Sequence, residues 1–584
     1  MAVIRLASFA CVVYIVPILH ATQAWRYGVP VKAAQALVEL LRSEGVEYVF
    51  GNPGTTELPF MDALAGAPDM PYMLALHESA AVAMADGYAR ATGRTSFVSL
   101  HIAAGLANGL SMVLNARRAR TPLVVTAGQQ DRRHLIEDPM LSGDLVAIAH
   151  GAFKDAVEVT GVEDLPVLMR RAFLHAVAPP EGPVFVSIPV DLLEEELSDP
   201  LPPRSEARPL GVAEDTEQVA DALLAAGAPA IVAGDGVARD EAMDELVRVA
   251  EALGATVFHE PMYDAADFPA THPLSAGMMP PVNAEIRRRL DGHDVIFLVG
   301  SHAFSAHYYT PVRAIPEAAT VLQLDSDPGE LGRNYPVAIG LLGGVRVTLN
   351  ELASRLDGRC PAAPQRLGVA KEQHERERTG AKTDGSGSGD AAAAAAALTA
   401  ALPENTILIE EGITTGIHVR REFAADRPGS FHHSVGGALG WGIGAGIGVK
   451  LARPDAPVVA AVGDGCAMFG IQGLWSAARY EVPVVFVVLN NREYRACKQG
   501  MGNVLEGEPA DSFVGMDLAP PVIDFVGLAQ ALGVPGRRAE GADAIGDEVS
   551  EALRSGGPGL VEIPIAGFEQ PAGIDAEEVA QRVP

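Results

Sequence analysis

The stretch VVAAVGDGCAMFGIQGLWSAARYEVPVVFVVLNNREY, residues 458–494, sets an acid and an amide at the ends of two apolar runs. The first run closes in Gly463-Asp464-Gly465, the second in Asn490-Asn491. Two parallel strands joined through one helix end on the same sheet edge, so Asp464 and Asn491 can converge although 27 positions separate them. A carboxylate, an amide oxygen and a nearby backbone carbonyl make a hard oxygen site suited to Mg²⁺, with water and a substrate phosphate as further ligands. The flanking glycines let backbone N–H groups approach that phosphate where the next helix begins. Gly-Asp-Gly alone signifies a tight turn. The AGDGV at 233–237, with no Asn-Asn at matching distance, is read as one.

Other residues are chemically capable but ambiguous on their own. GNPGTTELPF, 51–60, leaves an apolar strand through a tight loop that exposes backbone and offers hydroxyls, Thr55 among them; a plain Gly-Pro turn is the alternative. Glu78 follows the run YMLAL at the start of a helical pattern, where a helix N-terminus favours an acid for its own sake. His101 ends the strand pattern TSFVSLHI, and His307 lies in SHAFSAHYYTP. Each can move protons near neutral pH, and each is equally readable as a structural histidine. Leu439, in VGGALGWGIG, reads as packing in a glycine-rich segment.

These residues need a scaffold, and the pattern supplies one. From residue 31, short apolar strands alternate with amphipathic helices, the signature of a parallel sheet covered on both faces. The proline-rich SDPLPPRSEARP, 198–209, separates a first α/β set from a second that contains PAIVAGDGV, DVIFLVGS and TVLQLDSD. A polar stretch ending in GAKTDGSGSGD reads as a flexible linker before a third set. The expected fold is α/β, with three consecutive doubly wound parallel-sheet domains. The expected boundaries are an N-terminal extension over 1–30, domains over 31–200, 205–357 and 391–570, a linker over 358–390 and a tail over 571–584.

Composition narrows the function. A formal net charge of −30 repels phosphate backbones and anionic lipid, so neither nucleic acid nor membrane is an expected partner. The four cysteines form no C-x-x-C pair, so neither a disulfide framework nor a structural zinc site is indicated. Residues 6–19, LASFACVVYIVPIL, are too short for a transmembrane helix. With Arg5 before them and Ala-Thr-Gln-Ala after, they are patterned like a signal peptide, or form an extension outside the folded domains.

Taken together, the 458–494 motif, the 51–60 loop and the sequence around Glu78 resemble the thiamine diphosphate enzymes of the 2-oxo acid decarboxylase and acetolactate synthase superfamily, most of all its benzoylformate decarboxylase branch. The likeness runs over residues 31–568, apart from the insert at 360–390. It implies that the domains are pyrimidine-binding, middle and diphosphate-binding, and that thiamine diphosphate and Mg²⁺ are the cofactors. It implies Asp464, Asn491 and the Glu493 carbonyl as metal ligands, with Gly463, Gly465, Cys466 and Tyr494 at the cofactor. Cys466 departs from the small hydroxyl residue usual there. Glu78 would pair with the aminopyrimidine, Leu439 would prop the two rings, and Thr55, where serine is usual, would contact the substrate carboxylate. His101 and His307 match a catalytic pair that acetolactate synthases typically lack.

The resemblance implies non-oxidative decarboxylation of a 2-oxo acid to an aldehyde and CO₂. An acetolactate synthase-like carboligase is the alternative, and a non-catalytic cofactor-binding subunit is a third reading that the retained residues oppose. It further implies a homodimer or homotetramer with sites shared between subunits, and a cytoplasmic location, with export open if the leader is real. Substrate choice should turn on REYRACKQGMGNVLEGE, 492–508, where Cys497, Lys498, Gln499 and Gly500 stand in place of aliphatic and aromatic residues. Lys498 there either favours a polar or anionic substrate group or points to solvent.

Overall fold

The computed structural model describes residues 29–206, 209–307, 309–380, 389–505 and 512–567. The signal-like stretch and the tail at 571–584 lie outside the described residues. Three sheets of six parallel strands follow one another along the chain. The first runs Tyr72–Leu74, Val49–Gly51, Ser96–Leu100, Leu123–Gln129, Val184–Pro189, Asp155–Glu158 across its width. The second centres on Pro229–Ala233 and Val295–Val299, the third on Val458–Gly463 and Val484–Asn490. Their central strands are buried along their length because helices cover both faces, which is why they read as unbroken Val/Ala/Ile/Phe runs rather than alternating ones. A short antiparallel pair, Val31–Lys32 with Glu196–Leu197, ties the start of the first domain to its end.

The first and third domains meet along two helices, Glu78–Thr92 and Trp441–Ala452. Small residues make the approach possible. A Cβ on Gly448 would lie 1.9 Å from the Met84 carbonyl, and one on Gly87 would lie 2.3 Å from that of Ala445. The seam is polar at one point: Trp441 Nε1 donates to Asp86 at 2.5 Å, and Arg90 pairs with Asp86 at 3.1 Å while stacking over the indole at 4.9 Å. In the middle domain, Gly234 and Gly236 sit against Glu260 and Gly300, with 2.5 and 2.6 Å left for a Cβ. The segment read as a tight turn instead passes through Gly234 into the helix Asp235–Arg239, closely packed on both glycines.

The linker expectation needs correction. Residues 358–390 carry the helix Ala363–Gly380. Arg366 binds the carbonyls of Leu253, Ala226 and Gly227 at 3.0, 2.8 and 2.8 Å, while Leu367 and Ala370 pack on the middle-domain core. Only GSGSG, 385–389, is glycine- and serine-rich; the residues before it are mostly good helix formers. Among the described residues no helix is long and apolar enough to cross a membrane.

Candidate active site

The strands Val458–Gly463 and Val484–Asn490 are neighbours, with Gly463 level with Leu489. Asp464 and the turn after Asn490 therefore leave the same edge together. The Arg492 N–H donates to Asp464 Oδ2 at 2.6 Å, the Gly465 N–H to Oδ1 at 2.8 Å, and the Glu493 N–H to Asn491 Oδ1 at 3.1 Å. The turn is strapped from outside by Tyr494 N to Met516 O and Leu518 N to Arg492 O, each 2.8 Å. Burial pushes the Asp464 carboxyl up, so a cation there would restore its charge. Among the described residues no three His, Cys, Asp or Glu side chains cluster as a metal site. The donors brought together are one carboxylate, one amide and the nearby backbone, an oxygen set that fits Mg²⁺. The Tyr494 ring lies against Gly465, leaving 2.7 Å where a Cβ would stand, so glycine is required there. Cys466 is buried, and burial raises its thiol well above the usual range, which keeps it neutral beside any anion.

A second group is built on the first domain. The 51–60 loop turns through a 3-10 segment, Thr55–Glu57, and buries Glu57. Glu57 Oε2 accepts from Gly54 N at 2.8 Å and from His101 Nδ1 at 2.8 Å; Oε1 accepts from Gly128 N at 2.9 Å and Thr56 Oγ1 at 2.8 Å. Because a carboxylate only accepts, the His101 proton sits on Nδ1 and Nε2 is the acceptor. A Cβ on Gly54 would lie 2.2 Å from the imidazole, so the loop closes over His101 only with glycine at that position. Glu78 opens the helix Glu78–Thr92 and accepts from Asn108 Nδ2 at 3.0 Å; Gly105 leaves only 3.1 Å to its carboxylate. Thr55 is exposed and lines a smaller hollow against Gln35 and Leu58; Thr56 is the threonine that faces His101, at 3.2 Å.

Sequence reasoning missed Glu57. Its signal was an acid three residues after Gly54 at a helix start, the spacing at which a side chain reaches back to a backbone N–H.

The third feature is a cavity of about 1410 Å³ between the middle and third domains. His307 and Leu439 line it; Thr55, Glu78 and His101 do not. On one chain the first-domain residues Thr55, Glu78 and His101 thus stand apart from the cavity that holds His307 and Leu439. Glu411 also lines the cavity, and burial pushes its carboxyl up to about 7 even though three backbone N–H groups of the helix Trp441–Ala452 donate to it at 2.8–3.0 Å. Lys498 corrects both readings made for it. It is buried, bound to Glu493 Oε2 and Asp517 Oδ1 at 2.6 Å each, and faces neither solvent nor cavity.

Comparison with known proteins matches each domain in order. Residues 31–157 match the thiamine pyrophosphate enzyme N-terminal TPP binding domain, 216–352 the central domain and 414–563 the C-terminal TPP binding domain. Benzoylformate decarboxylase of Pseudomonas aeruginosa is 34% identical over 91% of this chain and 99% of its own. The acetolactate synthase isozyme 3 large subunit of Escherichia coli is 31% identical over 89% of this chain and 92% of its own. Among solved structures, a thiamine diphosphate-dependent 4-hydroxybenzoylformate decarboxylase of Rhodococcus jostii RHA1 superposes with a TM-score of 0.82 at 32% identity, covering 92% of this chain and all of that one. A likeness that runs through all three domains in sequence, and not through the glycine-rich motif alone, makes the chain a member of the thiamine pyrophosphate enzyme family.

Proposed function

We propose that the two groups of residues are halves of one site, closed between two copies of the chain, that decarboxylates a 2-oxo acid to an aldehyde. Thiamine diphosphate, when bound, supplies the nucleophilic carbon and the electron sink. The chain's own residues do the rest. Asp464, Asn491 and the Glu493 carbonyl hold Mg²⁺, and Gly463, Gly465, Cys466 and Tyr494 form the bed for the diphosphate. Leu439 props the rings, Glu78 anchors the aminopyrimidine, and Thr55 offers a hydroxyl to the substrate carboxylate. His101 and His307 move protons at the substrate.

The observation that carries decarboxylation over carboligation is the Glu57–His101 contact of 2.8 Å. It fixes the imidazole with Nε2 outward, where the ring can take up a proton and pass it on to the substrate, and protonation there releases an aldehyde where a second carbonyl would otherwise be joined. The separation of the halves supports the shared site: no residue of the Glu78 group lines the cavity that holds His307. Mixing Glu78→Ala with Asp464→Ala chains leaves one intact site in each mixed dimer, so about a quarter of wild-type aldehyde formation should return at random pairing. No recovery in verified mixed dimers would refute the shared site. Acyloin as the main product would favour the carboligase.

A further inference from the structure

Arg421 lines the large cavity, exposed and without an ion-pair partner among the described residues. In a chain with 74 acidic and 44 basic side chains, such an arginine stands out. Its neighbours are all engaged. Arg420 pairs with buried Glu410 at 2.9 Å, Arg495 donates to Glu493 at 3.0 Å, and Lys498 is held as described. The one carboxylate lining the cavity among the described residues, Glu411, faces the backbone N–H groups of Gly440, Trp441 and Gly442.

The placement of Arg421 gives it a reach. Thr414, Ile417, His418 and Arg421 all line the cavity; at spacings of three, four and seven they form one stripe along the helix Thr415–Glu422. That helix starts just beyond the strand Ile407–Glu411, whose Glu411 is level with Val462, so its first turn begins on the edge that carries Asp464. Seven residues of helix carry Arg421 about 10 Å from Thr414 along the axis. Burial, and after it the Arg421 charge, lowers the basicity of His418.

We propose that Arg421 binds a second anionic group at the far end of the substrate. The preferred 2-oxo acid then carries a second carboxylate, or a group of like charge, remote from its keto group. A guanidinium donates to both oxygens of a carboxylate in a forked geometry, which gives direction as well as charge. The inference rests on the decarboxylase reading of the same site.

The test compares 4-carboxybenzoylformate with 4-methylbenzoylformate on the holoenzyme, for wild type, Arg421→Gln and Arg421→Glu. Wild type should prefer the carboxylated substrate by about tenfold or more in kcat/KM. Arg421→Gln should bring the ratio to within about twofold, through KM of the carboxylated substrate, and Arg421→Glu should invert it. No preference in wild type, or an equal loss for both substrates in Arg421→Gln, would overturn the proposal. Calorimetric binding of 4-carboxyphenylacetate against phenylacetate separates the two readings. Selective binding without turnover of either oxo acid would defeat the decarboxylase assignment and leave the anion subsite standing. Equal binding would defeat the subsite alone.

Discussion

Replacing Glu57 with glutamine tests the contacts that end at His101. Each carboxylate oxygen of Glu57 accepts from one backbone N–H, Gly54 at 2.8 Å or Gly128 at 2.9 Å, and from one side chain, His101 or Thr56. Glutamine has a single acceptor oxygen. Whichever way its amide lies, the –NH₂ faces a backbone N–H where the native side chain is 3% exposed. One buried donor left unpaired costs about 1–3 kcal/mol. If the nitrogen takes the place of Oε2, the imidazole accepts at Nδ1 and carries its proton on Nε2, the reverse of the native tautomer. If it takes the place of Oε1, His101 keeps its partner but loses the negative charge. Glu57→Gln should therefore unfold in urea with about 1–3 kcal/mol less stability, and its kcat/KM should fall about 10²- to 10⁴-fold, the worth of a positioned acid or base. Nitrogen-15 shifts of His101 would report the tautomer directly. A variant with wild-type stability and kcat/KM within about threefold of wild type would refute the assignment of Glu57 as the residue that sets His101.

Three further outcomes follow from the geometry. Gly448→Ala places a methyl 1.9 Å from the Met84 carbonyl, a backbone atom that cannot swing aside, so it should cost about 3 kcal/mol in a thermal melt; a loss under about 1 kcal/mol would count against the close helix contact. Arg492 is exposed and holds φ at +60°, so Arg492→Gly, which keeps the N–H given to Asp464, should stabilise the fold by up to about 1 kcal/mol in urea, and destabilisation would show that the side chain matters. Burial alone would lower the basicity of His302, but Asp235 and Glu330 outweigh it and raise its pKa from 6.5 to about 9. The stability it contributes is full below pH 6.5 and is lost as pH rises through about 9. Glu260, which burial pushes to about 7, has finished titrating for the most part by pH 8.5, so denaturation between pH 8 and 10 should show a falling stability that His302→Gln flattens; equal slopes would refute the pairing.

The sequence by itself determined the architecture and which residues share the strand ends. Unbroken apolar runs such as VVFVVLN can be central strands of a parallel sheet, and parallel strands force Asp464 and Asn491 onto one edge whatever else the chain does. Local spacing carries that information, because strand, turn and helix are contiguous. Glu78 at a helix start and the glycines around Asp464 were legible for the same reason. Tertiary structure alone decided which side chains meet across domains or through buried polar contacts. Glu57 and His101 are 44 positions apart, and their contact depends on the 51–60 loop closing over the end of another strand. Lys498 takes neither role that its place in the sequence suggests. A cation's function depends on whether a carboxylate lies within reach, and Asp517 reaches Lys498 only because residues 516–518 fold back over the turn after Asn491. Nothing local to Arg421 marks it as unpaired. That property belongs to the cavity, whose walls come from segments more than 100 residues apart, and whose only carboxylate, among the described residues, is turned toward a helix N-terminus.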